Sequence, residues 1–82
     1  MRKKIAAGNW KMNLTFPEGK ALVEALLKNL ADVNKSDVVV CPPFPYLPAL
    51  AEILKGSRIG LGAQNLFYEE RGAFTGEVSA EM

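Results

Sequence analysis

The chain has 82 residues, 49% of them hydrophobic, and its ten basic and nine acidic side chains leave a net charge of +1. This length predicts at most one small domain, and the hydrophobic fraction is too high for a disordered segment. The near-neutral charge gives no electrostatic case for nucleic acid or a membrane surface as the partner. No apolar run approaches the roughly 20 residues that a membrane helix needs.

Two residue types narrow the chemistry further. The chain has no histidine, so it cannot supply its own imidazole for acid–base catalysis or for a metal site. Its single cysteine, Cys41, cannot form an internal disulfide, which is typical of a reducing compartment. The basic residues 1–4 are not followed by the hydrophobic stretch of a signal peptide. Together these features predict a cytoplasmic protein.

The first predicted element is a short buried strand over residues 5–7, which leads directly into residues 8–13. Side chains two residues apart on a strand point to the same face, so Asn9 and Lys11 could reach one substrate together. The carboxyl ends of parallel strands are where ligands bind in α/β proteins. From the spacing alone, however, a solvated loop lysine is the more frequent outcome for Lys11.

A helix follows this segment. Thr15 and Glu18 have the spacing of a capping box, and Pro17 suits the first helical turn. Apolar residues at helical spacing then predict one buried stripe. The stripe comprises Leu22, Val23, Leu26, Leu27 and Leu30.

The next elements are a second strand and a second helix. Residues 38–41, three β-branched valines followed by Cys41, predict a fully buried strand, which the prolines of residues 42–45 end. The second helix is predicted to start near Tyr46 and to end at Gly56, a residue suited to a left-handed cap. Its predicted apolar face comprises Leu47, Leu50, Ala51 and Leu54.

Residues 59–63 are the third predicted strand, and residues 64–76 form a long loop before a possible helix start at residues 78–82. The order is βαβαβ, which predicts parallel strands with right-handed crossovers. Three strands with two helices leave open edges and an uncovered apolar face. We therefore expect residues 1–82 to be an incomplete single domain that begins a larger protein.

Three blocks of sequence resemble the triosephosphate isomerase family over essentially the whole chain. They are residues 7–13 (AGNWKMN), residues 41–44 (CPPF), and residues 62–65 (GAQN) continuing to residues 72–79 (GAFTGEVS). The first and third blocks are highly specific, whereas the second alone would be weak. The resemblance implies an α/β fold in which this chain is the N-terminal βαβαβ portion of a (β/α)8 barrel, together with the long loop after the third strand.

The resemblance also implies an activity, the interconversion of dihydroxyacetone phosphate and glyceraldehyde 3-phosphate without metal or organic cofactor. Lys11 is similar to the family's catalytic lysine, which binds the triose phosphate and stabilises the charge of the enediolate. Asn9 is similar to the amide that hydrogen-bonds the substrate. The family's catalytic histidine and glutamate lie on later strands, so the chain alone is expected to be inactive.

The long loop is similar to one that docks beside the partner's active site in the family's homodimer. The resemblance assigns Phe74, Thr75 and Glu77 to that interface, although a loop that packs only on itself is the alternative. Gln64 and Asn65 are predicted to satisfy backbone groups and to support Lys11, rather than to bind substrate themselves.

Two further functions remain open at this point. The chain could be a non-catalytic fragment, natural or engineered, that serves in folding or assembly through its exposed sheet edges. A small flavodoxin-like binding module also begins βαβαβ, but the Asn9 and Lys11 pair and the long loop would have no role there.

Overall fold

The computed structural model describes residues 2–82 and contains a three-stranded parallel sheet flanked by helices. The elements in chain order are β1 (Lys4–Asn9), α1 (Phe16–Asn29), β2 (Ser36–Cys41), a 3₁₀ turn (Phe44–Tyr46), α2 (Leu47–Leu54) and β3 (Ile59–Leu61). The strands lie in the order β1-β2-β3, and both strand pairs are parallel. The predicted βαβαβ order is therefore confirmed.

The register brings the carboxyl ends of the strands to one edge of the sheet. Asn9 pairs with Cys41, and Val40 pairs with Leu61. One further backbone bond extends each ladder, from Trp10 N–H to the Cys41 carbonyl at 3.1 Å and from Gly62 N–H to the Val40 carbonyl at 2.9 Å. The segments that follow the three strands consequently begin side by side.

The third strand is shorter than the predicted residues 59–63. It ends at Leu61, although the Gly62 N–H still donates to the Val40 carbonyl. Two residues beyond Val40 the chain reaches Pro42, which has no N–H to donate to β3. The parallel ladder therefore ends at this proline.

The hydrophobic core lies between the two helices and one face of the sheet. Val23 of α1 and Leu50 of α2 are fully buried, and Val40 of β2 is 3% exposed. The core comprises Trp10, Val23, Val40, Leu50, Leu54 and Ile59. Because this core draws on every helix and strand except β1, it fixes β2 and β3 relative to both helices.

Two members of the predicted helix stripes, Leu22 and Ala51, are exposed. Leu22 is 39% exposed because it lies beside β1, whose residues are themselves uncovered. Ala51 is also exposed, whereas its neighbours Leu50 and Leu54 face the core. The 3.6-residue spacing predicted both helices correctly, but it assigned too many residues to the buried face of each helix.

The first two strands are less buried than the sequence predicts. All six residues of β1 are exposed, including Ile5 at 66%, because β1 is an edge strand that pairs only with β2. In β2 only Val40 is buried. Helices pack on the face that carries Val38 and Val40, and within residues 2–82 nothing comparable covers the opposite face with Val39.

Local signals at the helix ends are confirmed. The Glu18 carboxylate accepts from both the backbone N–H and the hydroxyl of Thr15 at 2.9 Å, and Pro17 lies in the first turn of α1. These bonds, the backbone one first, lower the pKa of Glu18 below its usual 4.5. After α2, Gly56 adopts the left-handed conformation with φ 79°.

Residues 78–82 do not form the predicted helix start. Phe67 instead makes a parallel bridge with Ser79, and the Phe67 N–H donates to the Val78 carbonyl at 2.7 Å. The Ser79 hydroxyl accepts from the Met82 N–H at 3.2 Å, which is the spacing of a helix N-cap bond. The capping interaction is present, but no helical turn follows it within residues 2–82.

Candidate functional site

The candidate site lies at the carboxyl edge of the sheet, around the loop that joins β1 to α1. We name residues 10–15 the lysine loop. Its first residue, Trp10, is only 9% exposed and packs against Gly19 of α1. A methyl group at Gly19 would come within 2.7 Å of the Trp10 ring, so the absence of a side chain there lets α1 approach the base of the loop.

Lys11 has a backbone conformation that is unusual for a residue with a side chain. Its φ is 58°, in the left-handed region, and its N–H donates to Asn9 Oδ1 at 2.9 Å. Such a conformation is disfavoured by about 1–2 kcal/mol and persists only where surrounding contacts hold it. The bond occupies Asn9 Oδ1, which leaves Asn9 Nδ2 as the donor that can reach a ligand.

Gln64 connects the lysine loop to the rest of the sheet edge. Its Nε2 donates to the Lys11 carbonyl at 2.9 Å and to the Cys41 carbonyl at 2.8 Å. Because Gln64 follows β3 while Cys41 ends β2, one side-chain amide joins the ends of all three strands. Asn65 does not take part, since its Oδ1 accepts from the adjacent Leu66 N–H at 2.9 Å.

Two more side-chain hydrogen bonds hold the lysine loop. Asn13 Nδ2 donates to the Trp10 carbonyl at 2.9 Å, and the Tyr46 hydroxyl donates to the Leu14 carbonyl at 2.7 Å. Sequence reasoning used Tyr46 only to locate the start of α2. The signal that was available is its position, a polar-tipped aromatic residue just beyond a strand end.

The side chain of Lys11 is exposed. The two ion pairs of the described residues 2–82 are Lys3 with Asp37 and Arg71 with Glu81, and neither involves Lys11. An ammonium on a held backbone, beside an amide donor, can bind an oxyanion and stabilise negative charge.

The residues predicted for an interface are also at the surface. We name residues 64–77 the long loop; within it Phe74 is 49% exposed, and Thr75 and Glu77 are exposed. Phe74 packs on Phe67 with ring centroids 4.5 Å apart. Part of the loop therefore packs on itself, whereas Thr75 makes no side-chain hydrogen bond within residues 2–82.

The sequence of this chain matches the model of a known protein family. Residues 4–82 match the family model described as triosephosphate isomerase. The chain belongs to the triosephosphate isomerase family. This membership decides against a flavodoxin-like module, which was the third possibility left open by the strand order.

Individual relatives agree with the family match. The chain is 55% identical over 82 residues to a protein of Carboxydothermus hydrogenoformans and 52% identical to one of Herpetosiphon aurantiacus, both named triosephosphate isomerase. A third relative with that name, from Clostridium tetani, is 52% identical. The alignments cover 100% of this chain but 32–33% of the relatives, so the chain spans about a third of their length.

The predicted site residues therefore divide into two groups. Asn9, Lys11 and Gln64 lie together at the carboxyl edge of the sheet and are joined by hydrogen bonds. Phe74, Thr75 and Glu77, which are predicted for an interface, make no side-chain hydrogen bond to that group within residues 2–82, and Asn65 bonds only to Leu66. In the part of the chain that the structure describes, no helix has the length and hydropathy needed to span a membrane.

Proposed function

We propose that this chain forms the first third of a triosephosphate isomerase barrel and contributes the Asn9 and Lys11 part of its active site. The complete enzyme interconverts dihydroxyacetone phosphate and glyceraldehyde 3-phosphate by moving a proton between adjacent carbons. The observation that carries the proposal is Lys11, whose ammonium forms no ion pair within residues 2–82 and whose backbone is fixed in a disfavoured conformation by Asn9 and Gln64.

Lys11 acts by electrostatic stabilisation. During the reaction negative charge moves between two neighbouring substrate oxygens, and a compact ammonium can follow it without needing a rigid fork. The same charge attracts the phosphate dianion of the substrate. Since the backbone is already held, little reorganisation of the lysine loop is needed when the charge develops.

Asn9 orients the substrate and also supports the lysine. Its Oδ1 accepts the Lys11 N–H, so its Nδ2 remains as a neutral donor for a substrate oxygen. One side chain therefore couples the position of the ammonium to the position of the substrate. A neutral donor suits this task because it adds no charge that would compete with Lys11 for the enediolate.

The proton transfer itself needs groups that this chain does not supply. The chain contains no histidine, and its glutamates do not occur in the sequence context of the family's catalytic base. Lys11 stabilises charge but cannot move the substrate proton between carbons. We therefore expect the isolated chain to be inactive, and the complete enzyme to work in the cytoplasm without metal, cofactor or nucleic acid.

We further propose that the long loop docks on a second subunit in the complete homodimer. Phe74, Thr75 and Glu77 are exposed at its far end, and half-exposed aromatic residues commonly anchor interfaces. Thr75 would then lie beside the Asn9 and Lys11 region of the other subunit. The packing of Phe74 on Phe67 gives the loop a firm base for this contact.

The activity is tested in an enzyme that joins residues 1–82 to the part of the Carboxydothermus hydrogenoformans relative that lies beyond its matched third. We name this protein the joined enzyme. We expect it to isomerise glyceraldehyde 3-phosphate, while the chain alone gives no turnover above background. In the joined enzyme, Lys11→Met should lower kcat/KM by about 10²–10³-fold because one charge-stabilising group is lost.

Lys20→Met is the matched control, since Lys20 is exposed on α1 and forms no ion pair within residues 2–82. It should leave kcat/KM unchanged. A folded joined enzyme without turnover would instead support a non-catalytic role in assembly. Equal losses in the two lysine variants would also contradict the proposal.

A further inference from the structure

The lysine loop contains a second strained position besides Lys11. Leu14 has φ 73°, also in the left-handed region, and it is not glycine. Two such residues within four positions make this loop prone to relax unless other contacts hold it. The contact at Lys11 comes from Gln64, so the question is what holds Leu14.

The Tyr46 hydroxyl provides that contact. It donates to the Leu14 carbonyl at 2.7 Å, across 32 positions of sequence. The Tyr46 ring packs on Phe16 with centroids 5.7 Å apart, and the Tyr46 N–H donates to the Pro43 carbonyl at 3.1 Å. Tyr46 also ends the 3₁₀ turn that leads into α2, so its hydroxyl is presented from a well-anchored side chain.

The lysine loop is thus held at its two ends by different strand-end segments. Gln64, after β3, fixes the Lys11 carbonyl, and Tyr46, after β2, fixes the Leu14 carbonyl. Between these points Asn13 closes the turn by donating to the Trp10 carbonyl. A shift of Leu14 would therefore move the turn that carries Lys11.

We infer that Tyr46 is a positioning residue for Lys11, an inference that depends on the proposed function. Tyr46 does not touch the substrate; its hydroxyl keeps Leu14 left-handed and so keeps the ammonium where the substrate phosphate binds. The structure separates this role from simple packing. The bond is exposed, so without the hydroxyl water can satisfy the Leu14 carbonyl while the ring still packs on Phe16.

The test uses the joined enzyme with Tyr46→Phe, which removes only the hydroxyl. We expect kcat/KM to fall about fivefold, the equivalent of one net hydrogen bond, with most of the change in KM because the substrate phosphate is held less firmly. Ser36→Ala is the control, because it also removes one hydroxyl. Ser36 begins β2, at the end of the sheet away from the lysine loop, and its hydroxyl makes no hydrogen bond within residues 2–82. It should leave both constants unchanged.

A second variant tests the mechanism by rescue. Glycine adopts a positive φ without steric cost, so Leu14→Gly reduces the need for the Tyr46 hydroxyl. The double variant Tyr46→Phe with Leu14→Gly should have kcat/KM within about twofold of Leu14→Gly alone. If Tyr46→Phe costs the same factor in both backgrounds, the hydroxyl does not act through Leu14 and the inference is wrong.

The outcomes also separate this inference from the proposed function. If Lys11→Met abolishes activity while Tyr46→Phe changes only the melting temperature, Lys11 is catalytic and Tyr46 is merely structural. If Lys11→Met retains full activity, the proposed function itself fails. Should Tyr46→Phe prevent folding, the inference is overturned, because the hydroxyl is then needed by the fold and not by the lysine.

Discussion

The lysine loop and the long loop differ in how they are held. In the six-residue lysine loop, Lys11 bonds to Asn9 and Gln64, and Leu14 bonds to Tyr46. These two residues are also the non-glycine residues with positive φ found among residues 2–82. The long loop beyond its first two residues is held mainly at Phe67, whose N–H donates to the Val78 carbonyl and whose ring packs on Tyr68 and Phe74. Arg71 adds one exposed ion pair with Glu81 at 3.1 Å. An exposed pair of this kind contributes little to stability.

This difference is what the two proposed roles require. A charged group that stabilises a transition state must already be in position when the charge develops. Holding Lys11 and Leu14 in disfavoured backbone conformations is one way to keep it there. A surface that meets another subunit can instead leave Thr75 exposed until it docks. The comparison predicts that small changes in the lysine loop alter catalysis, whereas changes at the tip of the long loop alter assembly.

The largest expected effect is on assembly. In the joined enzyme, Thr75→Arg would place a cation beside the partner's lysine loop, and like charges across an interface cost several kcal/mol. We expect the dimer dissociation constant to rise by at least about a hundredfold, measured by analytical ultracentrifugation over a dilution series.

Ala25→Arg adds the same charge on the exposed side of α1 and serves as the control. Its dimer should dissociate at the same concentration as the parent. An unchanged dimer mass for Thr75→Arg at low concentration would show that the long loop does not dock through Thr75.

The next effect is on catalysis through the contact that joins the three strand ends. Gln64→Glu replaces an amide donor with a carboxylate that can only accept, so both of its bonds to carbonyl oxygens are lost. Two net hydrogen bonds correspond to about 2 kcal/mol, so we expect kcat/KM to fall about thirtyfold in steady-state assays.

The neighbouring amide provides a matched control for this change. Asn65→Asp keeps the oxygen that accepts the Leu66 N–H, so the same amide-to-carboxylate replacement should be nearly neutral. If the two variants lose activity equally, added negative charge and not the lost donor is responsible.

The smallest expected effect concerns the end of the lysine loop at Thr15. Hydrogen bonds from Thr15 lower the pKa of Glu18 below 4.5, so this contribution to stability is fully present above about pH 4.5. It is lost as the pH falls through the lowered pKa of the folded state. Melting curves of the joined enzyme between about pH 7 and pH 3 should therefore show a larger fall for the parent than for Glu18→Gln.

Glu24→Gln removes another exposed carboxylate of α1 that makes no side-chain hydrogen bond within residues 2–82. It should retain the pH dependence of the parent. Identical curves for the parent and Glu18→Gln would mean that the capping box does not contribute to stability.

The sequence predicted local structure better than burial. The capping box at Thr15, the left-handed Gly56 and the parallel strand order all depend on short-range chemistry, and all are confirmed. Burial of β1 was wrong because hydrophobicity shows which residues prefer to be covered, whereas the layer that would cover Ile5 is not among the described residues.

The family resemblance named Asn9 and Lys11 as candidates, but the sequence did not show how the two are connected. The expectation that both lie on one face of a strand is wrong, because β1 ends at Asn9 and Lys11 is left-handed with φ 58°. The positive φ of Lys11 and Leu14 could not be predicted, since neither is a residue type that favours it. Tyr46 was missed because its partner is a backbone carbonyl, and backbone partners leave no signature in a sequence.

The Gln64 contact also sets an order of events during synthesis. The carbonyl of Lys11 and the amide that fixes it are 53 residues apart. A ribosome that makes about 5–20 residues each second needs several seconds to deliver that amide after the lysine has emerged. Until then the lysine loop lacks a bond on which its final shape depends, so the geometry of this loop is completed only after the third strand has been made.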